Sequence, residues 1–137
     1  MTATTQQSNL KIVQDLYGAF GRGDIPAVLN MLTDDVQWSI TGPKETSYAG
    51  QWHGKARVIE FFKALGGTIE IQEFEPKEFI AEGDHVVVIS RERMRVRATG
   101  QVADQEWVMV FTLQNGRITR FREFDDTAAV ATGFRHS

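Results

Sequence analysis

Cysteine is absent from this chain of 137 residues, as are a basic excess and long apolar runs. The lack of cysteine excludes disulfides, a thiolate nucleophile and cysteine-ligated metal sites. The net charge of −3 lacks the positive surplus that phosphate contacts require, so we expect no nucleic-acid partner. No apolar run approaches the roughly 20 residues that span a bilayer, so we expect no membrane partner.

The length of the chain suits one domain, and its composition suggests the boundaries. Residues 1–8 are polar and predict a flexible tail rather than a signal peptide. Residues 9–132 predict a single folded domain, and residues 133–137 predict a second short tail. A cysteine-free chain of this composition suits the cytoplasm, which is the location that we expect.

Helical spacing dominates the first third of the domain. A first helix is predicted from Ser8 or Asn9 to Gly21, since its apolar residues recur every three or four positions: Ile12, Val13, Leu16, Tyr17 and Phe20. Asp24 is the predicted N-cap of a second helix, which closes at Asp34-Asp35. After a loop over residues 42–54, a third helix is predicted over residues 55–65.

Strand patterns fill most of the remaining chain. One strand is predicted around Val36–Ile40 and separate strands over residues 69–74, 79–80, 86–96, 107–113 and 118–124. Asn115-Gly116 is a typical two-residue hairpin turn, and Asp126 or Thr127 is the predicted cap of a final helix over residues 128–131. We therefore expect an α+β cone-shaped roll, in which a curved, mainly antiparallel (mixed) sheet wraps around three N-terminal helices and one internal pocket.

Four stretches of the sequence carry a family resemblance: LYGAFGRGDIPAVLNMLTDDVQW, YAGQWHGKARVIEFF, FIAEGDHVVVIS and WVMVFTLQNGRITRFREFDDTA. Their order and spacing over roughly residues 9–132 resemble SnoaL-like and ketosteroid-isomerase-like proteins of the nuclear transport factor 2-like superfamily. The resemblance implies the cone fold and a homodimer. It does not imply one function, because the superfamily holds isomerases, cyclases, hydrolases, dehydratases and non-catalytic modules.

The catalytic positions that the resemblance implies are only partly filled. The three positions of ketosteroid isomerase read Ile40, Leu16 and Met109, so that activity is not expected. SnoaL-like cyclases pair an acid on the last strand with a histidine on the strand before it. Here the acid half is present as Glu123 and Asp125, and the histidine position reads Met109.

Limonene-type epoxide hydrolases, a third relative, use an Asp–Arg–Asp set. In this chain Arg91 or Arg93 would supply the arginine, beside an acid of the last strand. The second acid could only be Glu92, whose side chain points to the opposite sheet face from Arg91. The match to this set is therefore partial.

Glu123 and Asp125 are the best candidates for acid–base chemistry. They lie two residues apart on a strand and share a face with Phe121, which favours an inward direction. Burial and the neighbouring charge would then raise the pKa of one acid. Alternatively, the two acids lie at a solvated strand end, or Asp125 caps the final helix. We expect Arg91 near the pocket as the partner of an acid, in either a catalytic or a structural ion pair.

A small hydrophobic or amphipathic ligand is the predicted partner of the pocket. The expected lining side chains are Tyr17, Trp38, Ile40, Phe61, Met109, Phe111 and Phe121. Trp52, with Tyr48, is expected to form a lid, and His53 to lie at the mouth. The histidines have no ligand spacing and no phosphate-binding loop is present, so we expect neither a metal nor a cofactor.

Two functions remain open from the sequence. One is a cofactor-free acid–base enzyme, an isomerase, cyclase or hydrolase, acting on a small hydrophobic substrate. The other is a non-catalytic module of the same fold that binds a ligand or a protein. In both cases we expect a homodimer formed through the outer sheet face, where Val108 and Val110 would otherwise be exposed.

Overall fold

The computed structural model describes residues 5–135. The elements, in chain order, are helices α1 (Thr5–Gly21) and α2 (Ile25–Asn30), strands β1 (Leu32–Ile40) and β2 (Gly50–His53), helix α3 (Lys55–Thr68), strands β3 (Ile69–Glu82), β4 (His85–Val96), β5 (Val102–Gln114) and β6 (Arg117–Phe124), and helix α4 (Thr127–Phe134).

The six strands form one sheet in the order β2-β1-β6-β5-β4-β3. All neighbours pair antiparallel except β1 and β6, which are parallel. The sheet is curved and does not close, and helices cover its inner face. The predicted α+β roll with a mixed sheet is therefore confirmed. Within residues 5–135, none of the helices has the length and apolarity to cross a bilayer.

Strand alternation defines the two faces of the sheet. In β4 the buried positions are the even-numbered ones, from Val86 to Val96, and in β5 they are the odd-numbered ones, from Ala103 to Leu113. Because successive side chains of a strand point to opposite faces, these residues form the inner wall of the cone. Helix α1 packs against this inner wall through Val13, Leu16 and Tyr17.

The predicted N-caps of α2 and α4 are present, whereas Ser8 and Asn9, predicted to cap the first helix, lie inside α1. Asp24 Oδ1 accepts a hydrogen bond from the Ala27 main-chain N–H at 3.2 Å, and Asp126 Oδ1 accepts one from the Ala129 N–H at 3.1 Å. Such side-chain oxygens satisfy N–H groups that a helix start leaves without partners. The predicted hairpin turn is confirmed as well, with φ of 52° at Asn115 and 79° at Gly116.

Several predicted boundaries were wrong at the ends of elements. Helix α1 begins at Thr5, so residues 5–8 of the expected tail are helical, while residues 1–4 lie outside the described part. Helix α4 reaches Phe134 rather than residue 131, and residues 136–137 lie outside the described part. Helix α2 ends at Asn30 and the next residues join β1, because Leu32 pairs with Ile118 of β6.

Three strands differ from the predicted ones. The two strands expected over residues 69–80 are one continuous β3, which passes Pro76 at a register shift. A proline is tolerated there because β3 is an edge strand with only one neighbour. Strand β5 begins at Val102, and β2 lies in the segment expected to be a loop. Strand β2 has no apolar pattern and forms because it pairs with β1, where Gln37 lies opposite His53.

Candidate acid–base site in the cone cavity

A cavity lies inside the cone, between α1, α3 and the inner face of the sheet. Six of the predicted lining side chains line it: Tyr17, Trp38, Phe61, Met109, Phe111 and Phe121. The rings pack closely, with Trp38 stacked on Phe121 at 4.1 Å between ring centroids. Aromatic side chains therefore form most of the wall, which suits an apolar ligand.

Three carboxyl groups converge on the polar end of this cavity. Glu92 comes from β4, Glu123 from β6, and Asp125 from the residues that follow β6. Glu92 is 2% exposed and Glu123 is 8% exposed, and Asp125 is half-buried. None of the lining residues in the described part of the chain is basic, so hydrogen bonds and shared protons must stabilise this cluster.

Gln105 of β5 joins two of these acids. Its Nε2 donates to Glu92 Oε2 at 2.9 Å and to Asp125 Oδ1 at 3.3 Å. Its Oε1 accepts from the main-chain N–H of Asp126 at 2.9 Å. Glu92 and Gln105 are directly opposite each other in the β4–β5 register, which explains the shorter contact.

Thr41, the residue that follows β1, forms hydrogen bonds with the main chain of Glu123 and Asp125. Its main-chain N–H and its hydroxyl donate to the Glu123 carbonyl oxygen at 3.1 Å and 3.2 Å. Its Oγ1 also accepts from the Asp125 N–H at 2.9 Å. The parallel β1–β6 pairing thus continues through Thr41 and fixes the backbone that presents both carboxyl groups.

Burial raises the pKa of all three acids, because the cavity solvates a charge poorly. It raises the pKa of Glu92 to about 7, against a hydrogen bond from Gln105. It raises the pKa of Asp125 to about 6, against hydrogen bonds from Glu123 and then Gln105. Burial, and then the charge of Asp125, raise the pKa of Glu123 well above its usual range. At neutral pH the cluster therefore retains a proton, with Glu123 the most strongly protonated member.

Two tyrosine hydroxyls face weak acceptors at the cavity wall. Tyr17 donates to Met109 Sδ at 3.0 Å, and Tyr48 donates to Met94 Sδ at 3.8 Å. Burial raises the pKa of both tyrosines above the usual range, so both hydroxyls stay neutral. Because a thioether accepts hydrogen bonds only weakly, either hydroxyl could turn to a better acceptor on a ligand.

Trp38 and Trp107 are further donors around the cavity. Both line it, are less than one-tenth exposed, and have an indole N–H without a hydrogen-bond partner. An unpaired buried donor costs on the order of 1–3 kcal/mol. A ligand that reached either N–H with an oxygen acceptor would satisfy it.

The expected position of Arg91 near the pocket was wrong. Arg91 lies on the outer face of β4, where its guanidinium pairs with Glu73 at 2.9 Å and with Asp104 at 3.4 Å. Arg93 pairs with Asp104 at 3.1 Å on the same face. The inner face of β4 takes Val86, Val88 and the other even-numbered residues, and strand alternation then directs every odd-numbered arginine outward.

Three other predicted ligand-binding residues do not line the cavity. Ile40 is buried in the core, and His53 is exposed on β2. Trp52 is half-buried against Phe61 and donates its indole N–H to the Tyr48 carbonyl oxygen at 3.1 Å. Tyr48, expected beside Trp52 in a lid, is 4% exposed and lines the cavity instead.

Sequence reasoning missed Glu92, Gln105 and Trp107 as lining residues. All three lie on inner faces, Glu92 between Ser90 and Met94 in the even-numbered series and the other two in the odd-numbered series of β5. A usable signal was present, since a polar residue in an otherwise apolar inward series indicates a buried polar group that needs a partner.

Within residues 5–135, no three His, Asp or Glu side chains are grouped to hold a metal ion.

This cone with a partly open internal cavity defines a nuclear transport factor 2-like protein. The chain belongs to the SnoaL-like domain family, whose model matches residues 13–121. An NTF2-like protein of Burkholderia xenovorans has 32% identity and a TM-score of 0.86, covering 95% of this chain and 98% of that one. TerC, co-crystallized with polyporic acid, has 26% identity and a TM-score of 0.79, covering 91% of this chain and 96% of that one. An uncharacterized protein of Mycobacterium tuberculosis is 28% identical over 134 residues, which cover 95% of this chain and 98% of the relative.

Proposed function

We propose that this protein catalyses proton transfer on a small, hydrophobic and uncharged carbonyl compound, using its own carboxyl groups. The observation that carries the proposal is the cluster of three buried acids with unequal proton affinities at the end of an aromatic cavity. Neighbouring titratable groups with separated pKa values are the usual sign of an acid and a base in one site. Isomerisation, cyclisation and hydrolysis all fit such a pair.

The pKa values assign the two roles. Asp125, with a pKa of about 6, is mostly ionised at neutral pH and is the proposed base that removes a proton from the carbon beside the carbonyl. Glu123 stays protonated because burial raises its pKa, and it is the proposed acid that protonates the carbonyl oxygen. The product of this shared step is an enol. Glu92 lies close enough for its charge to raise the pKa of Glu123 further.

An uncharged ligand is favoured by the charge of the lining. Three acids and no basic residue, among the described positions, face the cavity, so an anionic ligand would meet only negative charge. The unpaired indole donors favour oxygen acceptors on the ligand. The relative TerC was co-crystallized with polyporic acid, which supports an organic molecule as the ligand of such a cavity.

The test is proton exchange on simple ketones. The protein should accelerate the replacement of α-hydrogens by deuterium in heavy water, followed by proton NMR. Glu123→Gln and Asp125→Asn should each slow this exchange by about 10²–10⁴-fold, the usual contribution of a general acid or base. Glu106→Gln, an exposed acid on the outer face, is the matched control and should exchange at the original rate. Unchanged rates in both cavity variants would rule out the proposed chemistry.

A non-catalytic ligand-binding module is the second candidate. It is favoured by Leu16, Ile40 and Met109, which are apolar at the positions where the resemblance implies catalytic groups. Leu16 and Met109 line the cavity, so the wall at those points offers contact and no proton transfer. Stoichiometric binding of the same ketones, without deuterium exchange, is the result that would favour this candidate.

We also propose that the outer sheet face forms a homodimer, as the resemblance implies. Ile80 and Phe124 are 51% and 45% exposed there, and Val87, Val108 and Val110 lie between them in the strand register. Burying this apolar patch against its own copy would give an isologous interface.

The cytoplasmic location remains a prediction, which fractionation of the producing cells would test.

A further inference from the structure

Gln105 is the only amide among the described side chains that line the cavity, and it lies between two of the three acids. It is 6% exposed and comes from the middle strand of the β4-β5-β6 set. Its two ends have different partners: the nitrogen contacts carboxylates and the oxygen contacts the main chain. That asymmetry gives Gln105 a defined direction in the site.

The main-chain N–H of Asp126 fixes this direction. A main-chain N–H can only donate, so the atom that it contacts at 2.9 Å must be the amide oxygen of Gln105. The amide nitrogen then faces Glu92 Oε2 and Asp125 Oδ1, and rotation of the amide by half a turn would place its oxygen against both acids. The backbone therefore fixes the amide nitrogen of Gln105 as the group that faces the acids, whatever their protonation state.

We propose that Gln105 is a positioning residue that assigns the proton within the carboxyl cluster: it holds Glu92 and Asp125 as hydrogen-bond acceptors and thereby leaves the proton on Glu123. The inference rests on the proposed function where it treats Asp125 as the base and Glu123 as the acid. The assignment of the proton itself needs no substrate, because it follows from the hydrogen bonds and the burial of the cluster. An N–H donor stabilises the ionised form of a carboxyl group more than the protonated form.

Glu123 is a second donor within the cluster, because its protonated carboxyl group hydrogen-bonds to Asp125 and lowers the pKa of that acid. Gln105 is the donor that contacts both Glu92 and Asp125. Tyr48, from the segment before β2, and Tyr17, from α1, are neutral and direct their hydroxyls to methionine sulfur atoms. No lysine, arginine or histidine lines the cavity in the described part of the chain. The Gln105 amide accordingly lowers the pKa of Glu92 and Asp125 against the effect of burial, whereas the pKa of Glu123 is raised by burial and by Asp125.

A purely structural role is the competing explanation. Asp126 caps α4 through its side chain, and the same residue donates its main-chain N–H to Gln105. Gln105 could therefore serve only to anchor the start of α4 on β5. The two roles make different predictions, because anchoring affects unfolding, whereas assigning the proton affects titration.

The experiment is a carboxyl-carbon NMR titration of Gln105→Leu, together with the pH profile of ketone deuteration. Without the amide donors, we expect the titrations of Glu92 and Asp125 to move up by about one pH unit. The acidic limb of the rate profile should move up by the same amount, because Asp125 must ionise to act as a base. Asp126→Ala is the control, since it removes the side-chain cap but keeps the main-chain N–H, and should lower Tm without moving either titration.

Two outcomes would overturn the inference: unchanged titrations of Glu92 and Asp125 in folded Gln105→Leu, or equal shifts in Asp126→Ala. If Gln105→Leu does not fold, the side-chain amide signals of Gln105 in the unmodified protein replace it. They should shift with the same midpoints as the two acids between roughly pH 5 and 8, and pH-independent signals would overturn the inference. Absent deuteration in the unmodified protein counts against the proposed function alone, because both titrations are measured without substrate.

Discussion

Glu92 is a buried carboxyl group whose ionisation costs folding free energy. Burial raises its pKa in the folded protein from 4.5 to about 7. Below the unfolded value both states are protonated and there is no cost. Between the two values only the unfolded state ionises, so stability falls as the pH rises, and the full cost is present above the folded value. The difference corresponds to roughly 3–4 kcal/mol.

Glu92→Gln should remove this penalty while keeping an oxygen for the Gln105 amide to donate to. We expect the variant to gain on the order of 1–3 kcal/mol over the unmodified protein at pH 8 and little at pH 4. Urea denaturation at a series of pH values measures the difference. Glu106→Gln should leave the pH dependence unchanged, because this acid is exposed. An identical pH slope for Glu92→Gln and the unmodified protein would contradict the prediction.

Residues of the site differ in how far the sequence could reveal them. Glu123 and Asp125 were found because they alternate with Phe121 in the sequence, and all three line the cavity in the structure. Glu92 and Arg91 were assigned to the wrong faces because β4 is apolar on both sides near its start, with Val86 and Val87 adjacent. Local alternation then specifies two faces without saying which one is inner.

At the scale of elements, α4 depends on close contact with the sheet. A Cβ atom at Gly133 would lie 3.0 Å from Val96 Cγ2 and 3.4 Å from Ala103 Cβ. The Thr99 hydroxyl also donates to the Gly133 carbonyl oxygen at 2.6 Å, which holds the helix in place. The glycine therefore permits an approach that a larger side chain would prevent.

Gly133→Val should separate α4 from β4 and β5 and lower the free energy of unfolding by about 1–3 kcal/mol, the usual cost of overpacking. Urea denaturation monitored by circular dichroism measures the loss. Ala128→Val introduces the same side chain at an exposed position of the same helix and is the matched control. The prediction fails if Gly133→Val loses no stability, because valine is a better helix former than glycine and only the clash with Val96 and Ala103 would destabilise the variant.

Elements with strong local signals were predicted and those formed by pairing were not. The caps of α2 and α4 and the Asn115-Gly116 turn follow from residue type at one position. Strand β2 has no alternating apolar pattern, and it exists because Trp52 and its neighbours pair with β1. Helix α2 ends earlier than predicted for the same reason, because Leu32 pairs with Ile118 of β6.

At the scale of the whole molecule, the outer sheet face separates into an apolar region and a charged region. Val108 lies in the apolar region, opposite Ile89 on one side and Phe124 on the other. The charged region contains the ion pairs of Arg91 and Arg93 with Asp104. A self-complementary contact that buries the first region would leave the second in solvent.

Val108→Lys should convert the proposed homodimer into a monomer, because two lysines would be buried near the two-fold axis of an apolar interface. Sedimentation velocity at tens of micromolar protein measures the change, with an expected loss of dimer of at least roughly tenfold. Gln114→Lys adds the same charge at an exposed strand end and should leave the dimer intact. A monomeric unmodified protein at that concentration would contradict the proposed interface.

The fold class and most of the elements were determined by the sequence alone, because helical spacing, strand alternation and turn residues act over short distances. The sequence favoured an inward direction for Glu123 and Asp125 but also allowed a solvated strand end. The inner face of β4, the partners of Gln105 and the proton affinities of the acids were decided only by the tertiary structure. These depend on side chains from β4, β5 and β6 meeting in one poorly solvated cavity. A local sequence pattern does not predict which distant residues come into contact, or how strongly that contact excludes water.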